Sequence, residues 1–370
     1  MRKSFKYRLF TNKTQEAKLN SFLDSARYLY NNALEHRILC WKGWHKSISY
    51  YDQSYTLKEI RSFDDNIARL NFSASQNILK QLDKAFQAFF RRIKSGEKPG
   101  FPRFKGKNRF NSITFPSYGD GIKFKKGKLY IQNIGLVRIK LHRKLKGTIK
   151  IVTIKRENDK FYAFFSCDKI PQDILPISTK EIGVDVGIKS FAVLSNGKVI
   201  DNPKFLKQSE AKLKSLQQLY SKKRTKKTKK NFASLHRKIS NQRKDFQHKL
   251  SRKLVNKYGF IFVEDLKPQK MVKNNFRVLN KYISDAAWSQ FFNFLSYKAE
   301  NAGRIVIKVN PKNTTQICSS CDEIVLKDLK TRTHRCSCEF EVDRDYNAAI
   351  NILRAGQVLC SEQEAIYLNR

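Results

Sequence analysis

The sequence predicts a multidomain α/β protein, and three observations carry that reading. Helical periodicity dominates the N-terminal part, short alternating runs follow it, and the remainder interleaves apolar strands with helices around a cluster of cysteines. At 370 residues the chain is long enough for two or three separately cored domains.

The first run, KSFKYRLF (3–10), alternates as an edge strand does. In the next stretch Thr11 and Thr14 are candidate N-caps, and Ala17, Leu19, Phe22, Leu23, Ala26, Leu29 and Tyr30 recur at helical spacing. A second amphipathic helix is predicted over 74–94, with Ile78, Leu79, Leu82, Ala85, Phe86 and Phe89 on one stripe. Together these form a helical lobe, which the basic, Gly/Pro-rich GEKPGFPRFKGKN (96–108) ends. SITF, GIKF, KLYIQN, LVRIKL, IKIVTIKR and KFYAFFSC then read as strands of a small antiparallel barrel or sandwich. Their aromatics alternate with lysines. Buried cross-strand packing is the commoner use of that pattern and base stacking the alternative.

Residues 181–201 (EIGVDVGIKSFAVLSNGKVID) read as two long strands joined through the Asn196-Gly197 turn. Residues 206–257 form a long basic helical region, and GFIFVED a buried strand. A helix over 288–303, the strand RIVIKVN, the cysteines and a last helix complete the chain.

The 75 Lys and Arg residues outnumber the 32 Asp and Glu, for a formal charge of +43, so a polyanion is the expected partner. The cations are spread along the chain, with one dense run at Lys222–Lys230, which predicts several nucleic-acid surfaces rather than one basic arm. No apolar run reaches the ~20 residues that span a bilayer, and MRKSFKYRLF lacks the apolar segment of a signal peptide. The expectation is a soluble cytoplasmic protein without a membrane partner. Four of the seven cysteines fall within 318–338, which suits a metal site in a reducing compartment better than a disulfide scaffold.

Two kinds of metal chemistry are written into the second half. In GVDVG an apolar strand delivers Asp185 into a surface that is otherwise buried, and FIFVED ends a second apolar strand on Glu264 and Asp265. A buried carboxylate costs several kcal/mol unless it is paired or binds a metal. Strand neighbours face opposite ways, so one member of the Glu264/Asp265 pair shares a site with Asp185. RCSCEFEVDRDYNAAINIL (335–353) adds Asp343 and Asp345 ahead of a helix. Carboxylates converging from distant positions are what a two-magnesium phosphodiester hydrolase requires, whereas a single strand-end acid is commonly a cap or an ion pair. The cysteines read CSSC (318–321) and, fourteen residues on, CSC (336–338), close to a zinc ribbon; free cytosolic thiols are the alternative. His334 is a substitute ligand if the tight CSC cannot supply two sulfurs, while Cys40, Cys167 and Cys360 are isolated.

Nearly the whole chain resembles the TnpB (OrfB) family, the RNA-guided DNA nucleases of insertion sequences related to compact type V CRISPR effectors. The blocks that carry the resemblance are YRLFTNKTQEAKLNSFLDSARYLYNNALE, GFPRFKGK, GVDVGIKSFAVLSNG, FVEDL, SDAAWSQFFNFLSYKAENAGRIVIKVNPKNTTQICSSC and DRDYNAAINIL, in family order. The resemblance implies a wedge-like antiparallel β-barrel (1–12 and 100–178) carrying a helical recognition lobe (13–99). It implies an RNase H-like (RuvC) nuclease domain (179–314 and 341–370, with 206–257 as a basic helical segment), split by a zinc ribbon (315–340). It further implies catalytic, Mg²⁺-binding acids at Asp185, Glu264 and Asp345, with two magnesium ions, and one structural Zn²⁺ on Cys318, Cys321, Cys336 and Cys338.

The implied partners are a guide RNA (omega RNA) from the encoding element and target double-stranded DNA cut beside a short motif, with the protein a monomer in the prokaryotic cytoplasm. Ser75, Gln76, Asn77 and Lys80 are expected near the motif-reading site, and Lys222, Lys223, Arg224, His236, Arg237, Arg243, Lys249 and Arg252 along the heteroduplex channel. One departure stands out. The family usually has two residues between the last cysteines and then a glycine, whereas this chain has one residue and then Glu339. A nuclease-dead guided repressor and an RNase H-like transposase remain the rival readings.

Overall fold

A computed structural model describes residues 1–268, 271, 277–328 and 331–368, with side chains described up to 361. The chain divides into two compact units, Met1–Pro171 and Gln172–Arg370.

The first unit begins with β1 (Lys3–Phe10) and α1 (Lys13–Trp44). Three short helices follow, α2 (Tyr50–Tyr55), α3 (Leu57–Phe63) and α4 (Asp65–Ala68), and then α5 (Phe72–Lys94). Six strands complete it: β2 (Ser112–Phe115), β3 (Ile122–Lys125), β4 (Lys128–Ile131), β5 (Gly135–Lys140), β6 (Thr148–Glu157) and β7 (Lys160–Asp168). All six expected alternating runs are strands. They join β1 in one antiparallel sheet of order β2-β6-β7-β1-β5-β4-β3. β1 is therefore central, not an edge, because both its sides are paired, to β7 and to β5. Alternation marks a strand with two different faces and says nothing of its neighbours.

The sheet curls on itself. Phe124 of β3 stacks on Phe165 of β7, four strands away, with ring centroids 5.3 Å apart. Tyr7, Leu9, Phe115, Phe161 and Phe165 fill its inside, and α1 and α5 add Leu19, Phe22, Ile78 and Leu82 to the same core. The N-cap of α1 is Asn12 and neither threonine: its side chain accepts from the Gln15 amide at 2.7 Å while Gln15 Oε1 accepts from the Asn12 amide at 3.3 Å.

The second unit opens with β8 (Glu181–Val186), β9 (Ser190–Leu194) and β10 (Val199–Asp201). The two expected long strands are thus three, because a first turn at 187–189 precedes the Asn196-Gly197 turn. The basic helical region is α6 (Phe205–Gln208), α7 (Glu210–Lys222) and α8 (Lys226–Lys257). Then come β11 (Phe260–Glu264), α9 (Arg277–Ala286), α10 (Trp288–Ala302) and β12 (Ile305–Val309). The hairpin β13 (Thr333–Arg335) and β14 (Glu341–Asp343) leads into α11 (Arg344–Leu368).

The sheet order is β10-β9-β8-β11-β12, with β11 parallel to both β8 and β12 and the β8, β9, β10 meander antiparallel. Helices cover both faces. Ile182, Val184, Val186, Ile261 and Val263 point into a core with Leu250, Leu254, Phe291 and Leu295 of α8 and α10. The alternate positions face α11, where Phe262 packs with Ile352. α11 crosses β8 so closely that a Cβ on Gly183 would lie 2.2 Å from the Ala349 carbonyl oxygen. Among the described residues, no helix is long and apolar enough to cross a membrane.

Candidate metal and nucleic-acid sites

Strand alternation decides which acids meet. Gly183 pairs with Phe262 and Val184 with Val263, so Asp185 and Glu264 follow on neighbouring strands with both side chains on the α11 face. Both are buried, at 8% and 7% exposure. Asp345 stands in the first turn of α11. Burial, and after it the charges of Glu264 and Asp345, push the Asp185 carboxyl well above the ordinary carboxylate range, against the opposing pull of Arg344. Burial likewise raises Glu264, against a hydrogen bond that its Oε1 accepts from the Thr314 hydroxyl. Asp345 Oδ1 accepts from Arg344 Nε at 3.2 Å and Nη2 at 3.1 Å, and Arg332 lies 3.9 Å from Oδ2. A buried carboxylate whose proton affinity is raised by two neighbouring acids favours a cation beside it, and hard carboxylate oxygens suit Mg²⁺.

Asp343 does something else. Its Oδ1 accepts from the backbone N–H groups of Asp345 (2.9 Å) and Tyr346 (3.2 Å), so it caps α11. Asp265 turns away from Glu264 and pairs with Lys308 at 3.4 Å.

The four cysteine sulfurs lie within 4.8 Å of one another. Cys318 Sγ is 3.8 Å from Cys338 Sγ, and Cys321 Sγ is 3.5 Å from Cys336 Sγ. A tetrahedron with ~2.3 Å Zn–S bonds has sulfur edges of about 3.8 Å, so the group has the dimensions of a closed zinc site. The tight CSC supplies both its sulfurs because the chain turns sharply after it. Glu339 takes left-handed backbone (φ 65°) and its N–H donates to the Cys336 carbonyl at 3.0 Å. His334 is outside the sulfur group, fully buried with its ring 6.3 Å from that of Phe340.

The expected nucleic-acid residues divide. Ser75 is fully buried, donates to the Asn71 carbonyl oxygen at 3.1 Å, and so presents nothing to a ligand; the sequence expectation for it is corrected. Gln76 is half-buried and donates to Ser54 Oγ at 3.2 Å, Asn77 is half-buried, and Lys80 is exposed. Lys222, Lys223, Arg224, His236, Lys249 and Arg252 are exposed on α7, α8 and the link between them, and Arg237 is half-buried. The Arg243 guanidinium is bonded to the buried Asp285 carboxylate. Thr314, Asn347 and Asn351 escaped the sequence reading. The available signal was two asparagines four apart on the apolar stripe of a helix.

The fold and site define a strongly basic two-unit protein in which Asp345 follows the last cysteine of a four-thiolate group by seven residues and lies beside the buried Asp185 and Glu264. Three family models match: a helix-turn-helix domain over residues 1–45, a probable transposase over 165–275, and the TNB domain of Cas12f1-like proteins over 288–352. A putative RNA-guided DNA endonuclease of Streptomyces pristinaespiralis is 30% identical over 370 residues, spanning 96% of this chain and 90% of the relative. The putative RNA-guided DNA endonuclease InsQ of Escherichia coli K12 is 27% identical, spanning 99% and 95%. The CRISPR-associated endodeoxyribonuclease Cas12f1 of Sulfoacidibacillus thermotolerans is 33% identical over 126 residues, 32% of this chain and 28% of the relative. The chain belongs to the TnpB (OrfB) family.

Proposed function

We propose that the protein is an RNA-guided DNA endonuclease, directed by RNA from its own element, that hydrolyses target DNA beside a short motif. The observation that carries this reading is the approach of Glu264 and Asp345, from a neighbouring strand and a helix start, to the buried Asp185 closely enough for both charges to raise its carboxyl. These three would hold Mg²⁺, which supplies an activated water and charge stabilisation at the leaving oxygen. The protein's part is to fix the three carboxylates, with Thr314 orienting Glu264 and Arg344 orienting Asp345.

On this reading the second unit contains an RNase H-like (RuvC) nuclease domain (179–314 and 341–370) interrupted by a zinc ribbon (315–340), with one structural zinc. The first contains the wedge-like barrel (1–12 and 100–178) and the recognition lobe (13–99). Base pairing supplies sequence specificity, and the cationic surface holds RNA and DNA through their phosphates.

The test is plasmid cleavage by protein purified with its co-expressed RNA, with and without Mg²⁺. Cuts that require Mg²⁺ and vanish in Asp345→Ala support the reading. Motif-dependent binding without cuts indicates a guided repressor, and joined products indicate strand transfer.

A further inference from the structure

Hydrogen bonds tie Glu264 of the acids, through Thr314, to the segment that carries Cys318, and bind that segment to the helix that begins at Asp345. Asn347 and Asn351 follow Asp345 on α11 at 0% and 8% exposure. Asn347 Oδ1 accepts from the Ser319 N–H at 2.9 Å, and its Nδ2 donates to the Ile317 carbonyl at 2.7 Å. Asn351 Nδ2 donates to the Thr314 carbonyl at 2.9 Å and to the same Ile317 carbonyl at 2.7 Å. Both asparagines thus grip one short segment, 314–319. That segment ends in Cys318 and Ser319 on the thiolate side and begins with Thr314, whose hydroxyl donates to Glu264 Oε1. Buried amides with all these partners in place are strong geometric constraints, because any shift leaves a buried donor or acceptor unpaired.

The geometry points to a positioning relay. Thr314, Asn347 and Asn351 transmit the occupancy of the four-cysteine centre to the placement of Glu264, and so set the affinity of the acid cluster for divalent cations. The inference rests on reading Asp185, Glu264 and Asp345 as cation ligands. When the thiolates close on a metal, Cys318 is fixed, the 314–319 segment is held against α11, and the Thr314 hydroxyl meets Glu264. When the thiolates are empty, the segment loses one anchor and Glu264 its orienting partner. Coupling of this kind is reciprocal, so a divalent cation on the acids also tightens the thiolate centre.

Direct Mn²⁺ binding to guide-free protein, followed by the loss of the free-ion paramagnetic resonance signal, reads the relay without any cleavage. Mn²⁺ suits carboxylates and is a poor match for thiolates, so it leaves the cysteines to zinc. Asp185→Ala defines the site by abolishing its share of binding. Thr314→Val, which keeps shape and removes the hydroxyl, should weaken Mn²⁺ at least about tenfold, as loss of an orienting partner commonly does. Thr314→Ser should restore it.

Removing zinc from the parent should weaken Mn²⁺ to a similar degree, and removing it from Thr314→Val should add little, because both act through one hydroxyl. Asn347→Ala, with zinc retained, provides the same break in a protein that keeps its metal. If Asp185→Ala removes Mn²⁺ binding but Thr314→Val, Asn347→Ala and zinc removal do not weaken it, the relay is wrong. If Thr314→Val alone weakens it, Thr314 is a local support and the link to the cysteines is overturned. If the parent binds no Mn²⁺ that Asp185→Ala removes, the cation-site reading itself fails.

Discussion

At the scale of single residues, Asp343 and Asp345 divide two tasks that look interchangeable in the string DRD. A carboxylate whose oxygen already accepts two backbone N–H groups is committed to the helix start. Asp343→Ala should therefore cost stability, about 1 kcal/mol, and leave much of the cleavage rate. Asp345→Ala should abolish cleavage while leaving RNA affinity unchanged; the reverse ranking in a plasmid assay would move the metal role to Asp343. The raised Asp185 carboxyl gives a second prediction, with its sign fixed by linkage. A group whose folded pKa lies above its unfolded value stabilises the fold at low pH and loses that contribution as pH rises through the folded value. In magnesium-free buffer the melting temperature should fall as pH climbs above the ordinary carboxylate range near ~4, and Asp185→Asn should flatten that slope. A parent and variant with parallel profiles would rule this out. Asp185 and Glu264 stood out in sequence because a carboxylate in an apolar strand is chemically conspicuous, whereas only the family resemblance separated Asp345 from Asp343. Thr314 and Asn351 did not stand out, because their partners are brought close only by the packing of α11 on the sheet.

At the scale of elements, what the sequence revealed was periodicity, and what it hid was adjacency. The alternation of 3–10 identified a strand yet could not show that β5 and β7 flank it, since pairing partners more than a hundred residues away leave no local trace. The role of Gly183 was hidden in the same way. It lies where α11 touches β8, and a methyl there meets the Ala349 carbonyl oxygen at 2.2 Å. Gly183→Ala should push α11 off the strand that carries Asp185, lower stability by roughly 1–3 kcal/mol, and reduce cleavage more than RNA binding. Wild-type stability and rate in this variant would show that the helix yields without cost. On the outward face of the curled sheet, Lys6 sits over the Tyr162 ring at 4.2 Å, Arg8 over Phe10 at 5.4 Å and Lys155 over Phe164 at 5.9 Å. The expected core packing is thus met by Phe161 and Phe165 inside, while Tyr162 and Phe164 stand on the other face among cations.

At the scale of the whole molecule, the formal charge of +43 was readable without any fold, and only its distribution needed coordinates. Along α8 the buried positions Leu235, Ile239, Leu250 and Leu254 define one side, and Lys226, Lys227, Lys229, Lys230, Lys238, Lys244, Lys249 and Lys253 stand exposed. Of the cations sequence reasoning assigned to a nucleic-acid channel, Arg243 is bound to Asp285, whereas the lysine run faces solvent. A solvated lysine that touches phosphate releases a counterion, so its contribution appears in the salt dependence of binding more clearly than in affinity at one salt concentration. Replacing Lys226, Lys227, Lys229 and Lys230 together by alanine leaves the buried side of α8 intact, and alanine is at least as good a helix former. The logarithm of RNA affinity against the logarithm of KCl concentration should then lose up to roughly 3 units of slope, about 0.7 to 0.9 for each phosphate contact removed, with the melting temperature unchanged. An unchanged slope would mean that the run faces solvent in the ribonucleoprotein as well, and that the polyanion is held by the other cationic surfaces of the chain.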